Sequence, residues 1–185
     1  MPFTEYANEI IENLWLGSEE AGQVPIEELR KFGITSVLIP ANLSEIACII
    51  YPDHISYKRY YVADTADFPI IQLFEECFEF IDEARKKAFS FCVKSNFKGG
   101  ILVHCAAGRS RSACIVIMYL MKVNKISFRE AHNFVKDKRP VVSTKFEKQL
   151  QLWEQMGCSL HGDSDAHVMV HKMYKRSPFN KKDKT

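Results

Sequence analysis

The sequence predicts an α/β domain with a central, mostly parallel sheet flanked by helices. Three observations carry that expectation. Short apolar runs, Ser36-Val37-Leu38-Ile39 and Gly100-Ile101-Leu102-Val103, read as buried strands. Between them Leu73, Cys77, Phe80, Ile81 and Ala84 recur at helical spacing. Strand and helix signals then alternate, which is the pattern of a sheet whose parallel strands are joined through helices. With 185 residues, 46% of them hydrophobic, the chain can fill one full-sized core. We place that domain at 1–157 and a basic tail at 158–185.

Taken in order, Ile11 to Gly17 reads as a first strand closed by a turn. Pro25 to Phe32 reads as a short helix, with proline in its first turn and Gly33 just past its end. Tyr57 to Ala63 is aromatic and β-branched, hence a strand. The periodic stretch from Ile71 to Ala88 is an amphipathic helix, and Phe91 to Gly99 a loop. The apolar run Ala113 to Met121 is a buried helix. Ser127-Phe128-Arg129-Glu130 and Thr144-Lys145-Phe146-Glu147 both have the capping-box form and should each start a helix. The first should stop before Arg139-Pro140, and the second at Gly157.

Composition narrows the function classes. No run of about 18 apolar residues is present, so no membrane span or membrane partner is expected. The start, Met1-Pro2-Phe3-Thr4-Glu5-Tyr6, lacks the basic and apolar regions of a signal peptide. The six cysteines show no CxxC pair, which suits a reducing, cytoplasmic or nuclear setting. Residues 158–185 carry six Lys/Arg against three Asp/Glu, and residues 1–157 carry 19 against 20. A near-neutral body with a basic tail is not the charge pattern of a nucleic-acid binder.

The chemistry concentrates in Val103-His104-Cys105-Ala106-Ala107-Gly108-Arg109-Ser110-Arg111-Ser112. A strand, a tight loop and a helix N-terminus make an anion cradle, where free backbone N–H groups converge and the helix dipole adds positive potential. A cysteine in that field is expected to be a thiolate, hence a nucleophile. An arginine at the far end of the loop can grip two phosphate oxygens as a bidentate fork. In a parallel sheet the site lies at the carboxyl ends of the strands, which puts Asp64 on the same edge as Cys105.

These residues resemble the cysteine-dependent protein phosphatases, most closely the small dual-specificity phosphatases, over about residues 8–157. The resemblance rests on the H-C-x-x-G-x-S-R-S signature at His104–Ser112, on Asp64 after a strand, and on Tyr119-Leu120-Met121, Arg139-Pro140, Phe146 and Gln149-Leu150. It implies that Cys105 attacks phosphorus, and that Arg111 and the loop (Ala106, Ala107, Gly108, Arg109, Ser110) bind the phosphate. It implies that His104 and Ser112 orient the cysteine and ease its departure, and that an aspartic acid protonates the leaving group and then activates water. Asp64 is assigned as that acid; Asp67 on the same loop is the rival, and the plainer alternative has both aspartates capping a helix or facing water. Gly108 fits a loop whose backbone approaches the phosphate closely. Arg109 reads as an outward-facing charge.

The chain has no tyrosine-bearing recognition loop, and a shallow pocket would admit phosphoserine and phosphothreonine beside phosphotyrosine. Ala106-Ala107 replaces the lysines of lipid-directed relatives, so a phosphoprotein substrate is expected, with no cofactor and no metal. A phospho-binding scaffold, or action on lipid or RNA phosphate, is the alternative. The pattern departs from the family in two places. Val142-Ser143-Thr144 stands where the family has Pro-Asn, so a polar support for the loop is either missing or supplied differently. Phe89 to Gly99 reads as an insertion. In the tail, Cys158, His161, His167 and His171 are suitable zinc ligands, but their spacing matches no established finger. Lys172 to Lys184 reads as a frayed basic terminus, with a nuclear address as the other option.

Overall fold

The computed structural model describes residues 2–42, 44, 51–91 and 99–174. Five strands form one sheet: β1 (Ala7–Ile11), β2 (Leu14–Gly17), β3 (Ile34–Pro40), β4 (Ser56–Tyr60) and β5 (Gly100–His104). Their order across the sheet is β1-β2-β5-β3-β4, with β2, β5, β3 and β4 parallel and β1 antiparallel at the edge. The mostly parallel α/β layout is therefore as expected, and β5 lies at its centre, where its five residues are all buried.

Among the described residues, seven helices flank the sheet: α1 (Glu19–Gly22), α2 (Ile26–Lys31), α3 (Phe74–Phe91), α4 (Arg111–Asn124), α5 (Phe128–Lys138), α6 (Glu147–Gln155) and α7 (Asp165–Tyr174). Alternate residues of β5 feed two cores, as the pleat dictates. Ile101 and Val103 join the larger core with α3 to α7, and Leu102 joins a smaller one with Leu29, Val37 and Ile39. Phe3, Trp15 and Phe32 close that smaller core with ring centroids about 5 Å apart. The most buried helix is α4, with every residue from Arg111 to Met121 inside. It needs partners on all sides, and that fixes its N-terminus against the end of β5.

Several boundaries differ from the sequence reading. Ile11 to Gly17 is not one strand. Asn13 takes the left-handed conformation (φ 64°) and donates its N–H to Glu9 Oε1, so the chain turns back, and β1 precedes β2 as a hairpin. The strand expected at Tyr57–Ala63 stops at Tyr60, and the chain leaves the sheet as the loop carrying Asp64. The helix expected at Ile71–Ala88 opens as a 3-10 turn, Ile70–Leu73, before α3. The Ser127–Glu130 capping box forms in full at the head of α5. The Thr144–Glu147 one does not. Phe146 is the N-cap of α6 and is fully buried, while Ser143 and Lys145 are drawn onto the loop after β5. Gly157 follows the last turn of α6, as expected.

The basic tail is not frayed along its whole length. Helix α7 lies within it and places Ala166, Val170 and Tyr174 in the larger core, so the body does not end at residue 157. Residues 175–185, and residues 92–98 of the expected insertion, lie outside the described residues. Among the described residues no cluster of three or more His, Cys, Asp or Glu is placed to hold a metal ion, and no helix is long and apolar enough to cross a membrane. Val170→Ala should lower the unfolding free energy by about 1–2 kcal/mol, since it empties a buried site. Val168→Ala, on the exposed face of the same helix, should stay within about 0.5 kcal/mol. Urea denaturation of both variants checks this; equal effects would mean that α7 is not docked.

Candidate active site

β5 delivers Cys105 to the carboxyl edge of the sheet, where its side chain is only 2% exposed. Six residues later the chain enters α4 at Arg111. The loop between is pinned by its carbonyl groups, every one of which is bonded outward. Glu19 N–H donates to Ala106 O (2.9 Å), Ser143 N–H to Arg109 O (3.0 Å) and Cys114 N–H to Ser110 O (2.8 Å). Arg139 takes the middle of the loop, donating Nε to Gly108 O (3.0 Å) and Nη2 to Ala107 O (3.4 Å). In a trans peptide the C=O and the next N–H point in opposite directions. Carbonyls drawn outward therefore turn the loop N–H groups inward, over the cysteine. Together with the N-terminus of α4, this is an anion site made by backbone alone.

Gly108 makes the turn possible. Its φ is +64°, and a Cβ there would lie 2.4 Å from Gly17 O and 2.8 Å from Arg139 Nη2. Arg139 is aimed by the helix stop that the sequence signalled. Pro140 ends α5 and leaves Arg139 as its C-cap, with Nη1 anchored on Asn8 Oδ1 at 2.7 Å.

Cys105 Sγ accepts a hydrogen bond from the buried Ser112 hydroxyl at 3.2 Å. Arg111 is 5% exposed and donates Nη1 to Val62 O (3.1 Å), which tethers it to the segment between β4 and Asp64. Asp64 stands across the loop, half-buried, where Oδ1 accepts from Ser110 Oγ (2.7 Å) and Oδ2 lies 3.2 Å from Lys145 Nζ. Asp67 is exposed, and a hydrogen bond from Thr65 holds its carboxyl below the usual range. Between the two rivals, the structure brings Asp64 to the loop. Arg109 is exposed and donates Nε to Val141 O, in line with an outward-facing charge.

His104 occupies a different position from the other signature residues. Its imidazole packs against Gly22, where a Cβ would lie 2.6 Å from Nε2, and Nδ1 is 3.4 Å from Cys105 O. It supports the cysteine backbone from behind. Burial pushes its pKa down to about 4, with Arg59 adding to the fall and Cys105 O and Glu20 opposing it. Burial also pushes the thiols of Cys77, Cys114 and Cys158 up, which disfavours their thiolate forms.

Three supports have roles that the sequence did not assign: Arg139 on the loop carbonyls, Lys145 beside Asp64, and Gln149 under the acid loop. Gln149 is buried; its Nε2 donates to Ala66 O (3.1 Å) and Phe68 O (2.7 Å), and its Oε1 accepts from Ile71 N–H (3.1 Å). One side chain thus suspends the acid loop from α6. The support that Pro-Asn would give elsewhere comes here from Ser143 and Lys145, through their backbone N–H groups. Thr144 serves a neighbouring turn, its Oγ1 accepting from Phe146 N–H.

Comparison with known proteins gives a family model described as "Dual specificity phosphatase, catalytic domain", which matches residues 14–156. The chain is 37% identical over 144 residues to dual specificity protein phosphatase 1 of Arabidopsis thaliana, covering 77% of this chain and 66% of that protein. It is 31% identical over 174 residues to human dual specificity protein phosphatase 7, covering 93% of this chain but only 38% of that protein. The chain thus spans just under two thirds of one curated relative and well under half of the other. The crystal structure of a human tyrosine phosphatase-like serine/threonine/tyrosine-interacting protein matches with a TM-score of 0.71 at 29% identity, covering 83% of this chain and 98% of that one.

Two outcomes follow from the loop geometry. Gly108→Ala should abolish binding of tungstate, measured by calorimetry, because the loop cannot close with a Cβ against Gly17 O. His104 makes stability depend on pH. It titrates near 6.5 when unfolded and at about 4 when folded, so between those values the unfolded chain binds more protons. Its contribution is present above pH 6.5 and is lost as pH falls towards 4. The stability difference between the wild type and His104→Asn should therefore fall by up to ~3 kcal/mol across that window. A pH-independent difference in urea titrations would refute it.

Proposed function

The chain belongs to the dual specificity phosphatase family, and on that premise we propose that it hydrolyses phosphate monoesters on proteins. The substrates are phosphotyrosine and phosphoserine or phosphothreonine, and the route is a phosphocysteine intermediate. One observation carries the reading: a single buried thiol, hydrogen-bonded by Ser112, lies beneath a loop whose five carbonyls are all bonded outward.

In the first step Cys105 Sγ forms a bond to phosphorus as the ester P–O bond breaks. Asp64 passes its proton to the departing oxygen. The equatorial oxygens are held by the inward N–H groups and by Arg111, groups already in place before charge redistributes. In the second step water attacks phosphorus, its proton goes to Asp64, and the S–P bond breaks to release phosphate. The Ser112 hydroxyl stabilises the thiolate that leaves. The net change is ester plus water to alcohol plus phosphate, with no redox partner.

Ala106 and Ala107 bring no cation into the loop, which supports a phosphoprotein rather than a polyanionic lipid as substrate. A purely phosphate-binding protein would not need an acid beside the loop, and Asp64 is there. The reaction requires a free thiol, and Cys77, Cys105, Cys114 and Cys158 are free, which supports action in a reducing compartment such as the cytoplasm or nucleus.

Cys105→Ser should reduce p-nitrophenyl phosphate hydrolysis to background. Asp64→Asn should slow turnover of a phosphotyrosyl peptide about 10²-fold, while Asp67→Asn stays within about twofold. Wild-type rates in Cys105→Ser would end the phosphatase reading. A large loss in Asp67→Asn alone would move the acid to that residue.

A further inference from the structure

We propose that Lys145 is the positioning residue for the Asp64 acid, an assignment that rests on the phosphatase reading and deepens it. Lys145 holds Asp64 by two routes. Its Nζ donates to the Asp64 backbone O at 3.0 Å and pairs with Oδ2 at 3.2 Å. Its backbone N–H donates to Ser110 Oγ at 3.2 Å, and that hydroxyl in turn donates to Asp64 Oδ1 at 2.7 Å. The result is a closed ring, Lys145–Ser110–Asp64–Lys145, in which both carboxylate oxygens and the main chain of the acid are gripped.

The root of Lys145 is rigid. On one side Ser143 N–H is bonded to Arg109 O, and on the other Phe146 is buried as the N-cap of α6. The side chain thus reaches the acid from a fixed base, although its outer part is exposed. The ring also ties together three pieces that chemistry requires in register: the acid loop, the phosphate loop and the head of α6. Each carboxylate oxygen has two acceptor positions, so each keeps one for the proton being transferred. An exposed ion pair contributes little to stability, so the consequence of this one lies in placement. A misplacement of about 1 Å at a reacting group can cost about 10²-fold in rate.

Placement of a general acid has a readout that general loosening of the fold lacks. p-Nitrophenolate leaves without help from a proton, whereas phenolate needs one. The experiment measures kcat/KM for p-nitrophenyl phosphate and for phenyl phosphate, and takes their ratio. Lys145→Met should raise the ratio about tenfold, within the range that general acid catalysis spans, with Tm nearly unchanged. Lys145→Arg, which keeps the cation, should return it to within about twofold of wild type. In an Asp64→Asn background, adding Lys145→Met should leave the ratio where Asp64→Asn alone puts it, because the two residues act through one proton. A ratio unmoved by Lys145→Met, or a further rise on top of Asp64→Asn, overturns the assignment. If Cys105→Ser silences the enzyme and the Lys145 ratio stays flat, only the role of Lys145 falls. If Cys105→Ser is as active as wild type, the phosphatase reading falls and takes this one with it.

Discussion

The structure turns on one constraint: the peptide planes after β5 must all face the same way. Left to itself, a five-residue loop would scatter its carbonyls and N–H groups in several directions. Here main-chain groups of α1, of α4 and of the segment before α6, together with the Arg139 side chain, take every carbonyl. The N–H groups that remain are the site. Arg139 carries the largest share and is itself a buried cation. Such a group is tolerable only with its donors engaged, and three of its nitrogens bond to Gly108, Ala107 and Asn8.

Around that loop the fold is a set of braces. β5 needs β2 and β3 on its flanks to bring Cys105 to the edge, and α4 needs to be buried on all sides to present its N-terminus there. The acid comes from elsewhere in the chain and is held twice, by Gln149 under its loop and by Ser110 across the cleft. Ser110 is both the N-cap of α4 and a donor to Asp64, so one residue joins the Asp64 loop to the loop after β5. Preorganisation of this kind means that little reorganisation remains when the phosphate arrives.

Much of this was legible in the sequence. The apolar runs reported the central strands, since strands buried on both faces are mostly apolar. The Cys105 to Ser112 spacing reported the cradle, because few other functions need glycine, arginine and serine in that register. The Ser127 capping box reported its helix because the signal is local. The parts that stayed hidden are non-local. Thr144 has the same capping pattern as Ser127, but a buried phenylalanine two residues later fixes the helix start instead. Lys145 looks in sequence like an ordinary surface residue, and Arg139 and Gln149, although part of the family pattern, show no partner there. Only the three-dimensional placement of Asp64 and the loop shows what they touch. Helix α7 was hidden for a related reason: its histidines and Lys172 read as part of a basic tail, and only the packing of Ala166, His167, Val170 and Tyr174 shows that it docks.

The bond between Arg139 and Asn8 spans 131 residues of chain. During synthesis, the segment with the nucleophile emerges well before the segments with Arg139, Ser143 and Gln149. A nascent chain that has just exposed Cys105 and α4 therefore has a thiol but an incomplete cradle, since the groups that turn three of the five carbonyls away are still to come. The hairpin at the front of the chain waits for its partner near the back. Contacts of such length form late, so competence to bind phosphate arrives as one of the last events of folding.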